Sequence, residues 1–158
     1  MNQIKVKKGT ILQRKGDLNT KTYFVEKGLL RSYAIDKKGK EHIFLFGPEG
    51  WVIADNHPPN VPCDLYIDAI EDSSLIIIPK QKKLEEVTFN ATPLINRLLA
   101  LQKRVLMLMS ASAIERYEHF MKIYPEISKR VPQRMIASYL GMTPEALSKI
   151  KGDKLRNK

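Results

Sequence analysis

Near the C-terminus a small residue and a glycine four positions on, Ala137 and Gly141, are followed at once by a helix start, Thr143-Pro144-Glu145. Two short helices crossing at a fixed angle need a small side chain at the crossing, a glycine for the left-handed turn, and apolar anchors beneath the second helix. Between Gln133 and Ile150 the anchors are Ile136, Leu140, Leu147 and Ile150. Thr143 suits the N-cap. Pro144 suits the first helical position, where its missing N–H costs nothing, and Glu145 lies beside the positive helix end. The spacing predicts a helix-turn-helix.

Glu145 and Lys149 lie four apart and project from one face with Ser148 beside them, whereas Leu147 and Ile150 point inward. The outward face is expected to enter the major groove of double-stranded DNA, Glu145 accepting from a cytosine amino group and Lys149 donating to guanine. Gln133, Arg134 and Thr143, near helix starts, suit phosphates. Pro144 and Lys151 complete the expected DNA-binding set. The competing readings are a generic two-helix hairpin and, for Glu145 with Lys149, an exposed pair worth only about 0.3–0.5 kcal/mol.

The charge distribution points the same way. The chain has 27 basic and 17 acidic residues, a net charge of +10, and residues 116–158 alone carry 10 basic and 4 acidic side chains. Such a bias favours polyanions, although excess lysine also serves solubility, so the motif decides rather than the charge.

The 158 residues suffice for one compact domain or two small ones. Leu94 to Met109 is too short and too charged to span a bilayer, and the first residues hold no apolar run of signal-peptide length. Cys63 is the single cysteine, so no disulfide forms within the chain. A cytoplasmic location without membrane contact is expected.

Short strands are predicted over Tyr23 to Val25, Leu29 to Ile35, His42 to Phe46, Tyr66 to Ile70 and Leu75 to Ile78, with glycine-containing turns between them. Asp36-Lys37-Lys38-Gly39-Lys40 reads as a hairpin connection. Three prolines make Asn56 to Pro62 an irregular loop. After Pro79 the pattern turns helical, first over Lys80 to Phe89 and then from Thr92-Pro93. Leu94, Leu98, Leu101, Val105 and Leu108 form a heptad seam, and Ile95, Leu99 and Leu106 a second apolar stripe. The seam is expected to pair with a second copy of the chain; a helix buried in a single domain's core is the alternative. Beyond a break at Ser110 to Ser112, Ala113 to Ile123 reads as an amphipathic helix ended by Tyr124-Pro125.

Over nearly its whole length the chain resembles the CRP/FNR family of bacterial transcription regulators. Lys8-Gly9-Thr10-Ile11-Leu12 through Gly16-Asp17, Tyr23-Phe24-Val25 and Lys27-Gly28-Leu29-Leu30-Arg31 look like the opening strands of that family's β-roll. Glu115-Arg116-Tyr117, Val131-Pro132-Gln133, Ile136 to Gly141 and Thr143 to Ser148 are similar to its DNA-binding domains. The resemblance implies an α+β protein: an N-terminal antiparallel β-roll of the cyclic-nucleotide-binding type over residues 1–91, a dimerisation helix over 92–110, and a helix-turn-helix of winged-helix type over 111–158 with a reduced or absent wing. It also implies a homodimer acting on a palindromic operator, not an enzyme, with RNA polymerase as a further partner and the effector unspecified.

Members that bind cyclic AMP carry a Gly-Glu pair and then an Arg-Ser or Arg-Thr pair that holds the phosphate. Here Gly47-Pro48-Glu49-Gly50-Trp51 and Pro62-Cys63-Asp64-Leu65 occupy the approximate places. An aspartate facing phosphate repels it, so cyclic AMP is not expected to bind. One cysteine cannot hold an iron-sulfur cluster, and no cofactor or metal is expected. Phe46, Glu49, Trp51, Cys63, Asp64 and Tyr66 form the expected effector pocket, with a filled roll core as its alternative. Relative to the family the chain is short at both ends, beginning at the first strand without a leading helix and stopping soon after the second reading helix. A different class of reading is a small-ligand-binding or cupin-like β-roll without DNA binding, but His42, His57 and His119 fall in a strand, a loop and a helix.

Overall fold

The computed structural model describes residues 2–78 and 92–156, which belong to two compact units, Met1–Val87 and Thr88–Lys158. The helix expected over Lys80 to Phe89 lies outside the described residues.

The first unit is built from eight strands: β1 (Asn2–Val6), β2 (Ile11–Gln13), β3 (Thr22–Lys27), β4 (Leu30–Ile35), β5 (Glu41–Gly47), β6 (Val52–Ala54), β7 (Tyr66–Ala69) and β8 (Ser73–Ile78). They form two four-stranded antiparallel sheets, in the orders β1-β8-β3-β6 and β2-β7-β4-β5. Alternate residues of each strand point to one face. Tyr23 and Val25 of β3, Leu30 of β4, Ile53 of β6, Ile67 and Ala69 of β7 and Leu75 of β8 therefore meet in one core. Between β4 and β5 the connection runs as expected: Asp36 N–H and the Lys40 carbonyl bond at 3.0 Å, and Gly39 takes φ +79°.

Strand β4 is buried on both faces from Leu30 to Tyr33, and one of those residues is an arginine. Arg31 donates to Asp68 from Nε at 2.8 Å and Nη2 at 2.9 Å, and to Glu41 from Nη1 at 2.6 Å. Its guanidinium lies 4.1 Å over the Tyr33 ring, which stacks on Tyr66. Burial acts against the charge, but the two carboxylates outweigh it and raise the Arg31 pKa.

A β-bulge in β5 decides which aromatic ring faces outward. Ser32 opposes Leu45 and Tyr33 opposes Ile43, so Phe44 is the extra residue on its strand. Phe46 remains in the core. The loop joining β6 to β7 is tied to the loop after β2 through backbone bonds from Gly16 N–H to the Cys63 carbonyl and from Cys63 N–H to the Asp17 carbonyl. The Cys63 thiol, 1% exposed, donates to the Arg14 carbonyl at 2.9 Å.

The second unit contains α1 (Thr92–Ser110), α2 (Ala113–Ile123), α3 (Ile127–Arg130), α4 (Gln133–Tyr139) and α5 (Pro144–Arg156). The expected break before α2 is a capping box. Glu115 N–H donates to the Ser112 hydroxyl, and the Glu115 carboxylate accepts from Ser112 N–H at 2.7 Å. Tyr117 and Phe120 of α2 join Ile127, Val131, Ile136, Ala137, Tyr139, Leu140 and Leu147 as buried apolar side chains among the described residues of this unit. Phe120, Tyr124 and Tyr139 pack as an aromatic trio with centroids 5.5–6.0 Å apart. Among the described residues no strand follows Ile78.

Candidate nucleic-acid interface

The turn between α4 and α5 is closed by its own backbone. Gly141 N–H bonds the Ser138 carbonyl at 3.2 Å, and Met142 N–H reaches back to the Ala137 carbonyl at 3.0 Å. This pair is a Schellman closure, which needs a left-handed residue at its centre; Gly141 has φ +66°. A Cβ there would meet Leu108 and Arg116 only at ordinary van der Waals distance, so backbone conformation rather than space selects glycine. Ala137, Leu140 and Leu147 are fully enclosed at the crossing.

The next helix starts as its sequence predicts. The Thr143 hydroxyl accepts from Ala146 N–H at 3.2 Å, and Pro144 opens the first turn. The Glu145 carboxylate is drawn toward this end, where its own N–H and the Thr143 hydroxyl hold its pKa below the usual value. From there α5 runs 13 residues, about 20 Å at 1.5 Å per residue.

Pro144, Glu145, Ser148 and Lys149 stand exposed along one outward stripe of α5. Gln133 and Arg134 are exposed at the start of α4, and Thr143 is exposed at the turn. Lys151 differs: it is half-buried and off the stripe, because 3.6 residues per turn carry position 151 away from the line through 145 and 149. Asp153 and Arg156 extend the stripe instead, continuing the same spacing of three and four, and Asp153 is a residue the sequence reading did not single out. Lys154 pairs with Glu118 of α2 at 2.8 Å, so it braces the unit. Charge alternates along the stripe through Glu145, Lys149, Asp153 and Arg156.

On α1 the expected seam divides. Val105 and Leu98 are exposed, whereas Leu101 and Leu108 are half-buried, and the side chain of Leu94 lies outside the described residues. Leu99, Leu106 and Met109 are exposed beside Val105. Arg104 is directed the other way, its guanidinium 4.0 Å over the Tyr139 ring. Burial lowers the Arg104 pKa, with Tyr139 and Tyr124 opposing the shift, and burial also raises that of Tyr124.

The β-roll unit has its own concavity of about 430 Å³, lined by Phe44, Ala54, Asp55, Asn56, His57, Pro58, Asp64 and Leu65. Of the six residues expected to form a pocket, only Asp64 is in this wall. Phe46 and Cys63 are core residues, Tyr66 stacks on Tyr33, and Trp51 stands partly exposed elsewhere. Glu49 accepts from Gly28 N–H at 2.9 Å and so fixes a turn. The extra residue of the bulge, Phe44, and the loop after β6 shape this concavity.

Asp55 is the centre of this wall. Only 3% exposed, it accepts from the backbone N–H of His57 at 2.9 Å, pairs with the His57 ring, and accepts from Asp64 N–H at 3.2 Å. Burial pushes its pKa up, but these bonds prevail and lower it. His57 Nε2 faces the Asp64 carboxylate at 3.4 Å. The wall includes two carboxylates and neither lysine nor arginine.

Residues 3–88 match the family described as the cyclic nucleotide-binding domain. Among curated proteins the chain is 26% identical over 170 residues to an anaerobic regulatory protein of Aggregatibacter actinomycetemcomitans, covering 93% of this chain and 64% of that one. FixK2 from Bradyrhizobium japonicum superposes with a TM-score of 0.79 at 20% identity, covering 99% of this chain and 85% of the other. A CRP/FNR-family transcriptional regulator from Thermus thermophilus gives 0.78 at 18% identity, over 99% and 87%. Among the described residues no helix is long and apolar enough to cross a membrane.

Proposed function

Because the chain belongs to the cyclic nucleotide-binding domain family and has the architecture of the CRP/FNR regulators, we propose that it is a DNA-binding transcription regulator, working as a homodimer on a partly palindromic operator. The observation that carries this reading is the closed turn at Gly141 followed by the Thr143-capped helix, with Glu145, Ser148 and Lys149 outward and Leu147 beneath. In this reading each α5 enters a major groove, with half-sites about one helical turn apart. Gln133, Arg134 and Thr143 hold phosphates through helix-start N–H groups and side chains.

The exposed apolar residues of α1 support pairing with a second copy, since five large apolar side chains on one helix are poorly tolerated in water. The acid-lined wall around Asp55 and Asp64 supports a roll that does not take cyclic AMP, because a cyclic phosphate meets negative charge without a compensating guanidinium. RNA polymerase is the further partner of a regulator of this kind. Retarded migration of promoter DNA by the pure protein is the expected result; unretarded DNA at low salt removes the reading.

A further inference from the structure

Two guanidinium groups converge on the C-terminal end of α4. Arg104 of α1 donates from Nη2 to the Tyr139 carbonyl at 3.3 Å while its plane covers the Tyr139 ring. Arg116 of α2 donates from Nη1 to the Leu140 carbonyl at 2.9 Å, and from Nε to the Ala111 carbonyl at the α1–α2 junction at 3.2 Å. The last carbonyls of a helix lack intrahelical donors and carry partial negative charge, so cations are favoured there. Here they come from two other helices.

Leu108, one turn beyond Arg104 on α1, has a methyl 3.6 Å from where a side chain on Gly141 would begin. Thus α1 contacts both the end of α4 and the turn that aims α5. Leu99, Leu106 and Met109 project from roughly the opposite side of α1 and are exposed. One helix thereby joins an apolar face awaiting a partner to the base of the reading element. Arg104 does this through a hydrogen bond and a flat ring contact together, which a lysine cannot reproduce.

We propose that Arg104 is a positioning residue for DNA reading: it clamps α1 to the end of α4 and so fixes where α5 stands relative to the apolar face of α1. This rests on the two-half-site reading above and adds the residue that sets the spacing. Arg104 touches no base or phosphate. It makes the separation of the two reading helices definite, so that only operators of matching spacing engage both.

The test measures binding of the full chain to duplexes whose half-site spacing changes one base pair at a time, with a single half-site as control. The wild type is expected to show a sharp optimum. Arg104→Leu should lose about tenfold at that optimum and respond to spacing far less steeply, with single-half-site affinity unchanged. Arg104→Lys should broaden the profile to an intermediate degree, and it carries the test alone if the leucine variant does not fold. A variant that keeps the wild-type spacing profile, even with affinity reduced equally throughout, overturns the positioning role. A flat wild-type profile overturns the two-half-site reading itself, and the clamp with it.

Discussion

Arg31 and Asp68 stand directly opposite each other on β4 and β7, joined by two hydrogen bonds at 2.8 and 2.9 Å. Both side chains are nearly enclosed, so neither can turn to water if the other is removed. Asp68→Ala leaves a guanidinium in the sheet with only Glu41 to balance it. The expected loss is about 3–5 kcal/mol in denaturant unfolding. A change below about 1 kcal/mol would mean that Glu41 and Tyr33 suffice.

The Asp55 carboxylate gives a pH dependence of definite sign. Its folded pKa is depressed, so the folded chain binds fewer protons than the unfolded one as pH falls. The stabilisation is fully present above the unfolded aspartate value of about 3.9 and is lost as pH drops through the lower folded value. Asp55→Asn should be less stable than wild type at pH 7, and the gap should close below about pH 4. Parallel acid limbs for the two proteins would contradict this.

Base reading and phosphate holding separate by mutation. Lys149→Ala should relax preference at one or two base pairs per half-site, at about 1–3 kcal/mol against the best sequence. Arg134→Ala should weaken all sequences alike and reduce the salt dependence by about one contact per subunit. Selection from a randomised operator checks both. Unchanged base preferences in the Lys149 variant would make it a backbone anchor.

Val105, 53% exposed, should lie in the contact between two copies. Val105→Glu places a carboxylate there and should yield monomers in sedimentation, since burying it costs several kcal/mol, while folding of the separate chain is unaffected. A dimer that survives the change must use another face.

Calorimetry with cyclic AMP is expected to show no micromolar binding. Binding that disappears in Asp64→Ala would show that the acidic wall accepts the phosphate after all.

The helix-turn-helix was legible residue by residue because its parts are local: a small residue, a glycine, a cap and a proline within eight positions, each with one structural use. Five strands were equally visible from their apolar runs. β1, β2 and β6 left no such run, and β2 showed only through the family resemblance, since β1 pairs on one side only, with Ile4 and Val6 alone packing on the core, and the other two are three residues long. The concavity in the roll was less legible, for a different reason. Its walls depend on a bulge at Phe44 and on Asp55 meeting Asp64 across nine positions, and neither is a periodic signal. The roles of Arg31, Arg104 and Arg116 were not legible because an arginine in a sequence reads as solvated until the carbonyls and carboxylates around it are known.

Cys63 gives this protein an internal clock. The single thiol of the chain is sealed beneath the joined loops, so a thiol-specific reagent can react with it only when Gly16, Asp17 and Cys63 release one another. Under native conditions its labelling rate therefore counts openings of that loop pair, in the way that amide exchange counts openings of a helix. The loop carrying Cys63 also carries His57 and Asp64. A molecule that binds the Asp55 wall and holds this loop closed should slow the clock, so an ordinary absorbance trace becomes a search tool for ligands of this wall.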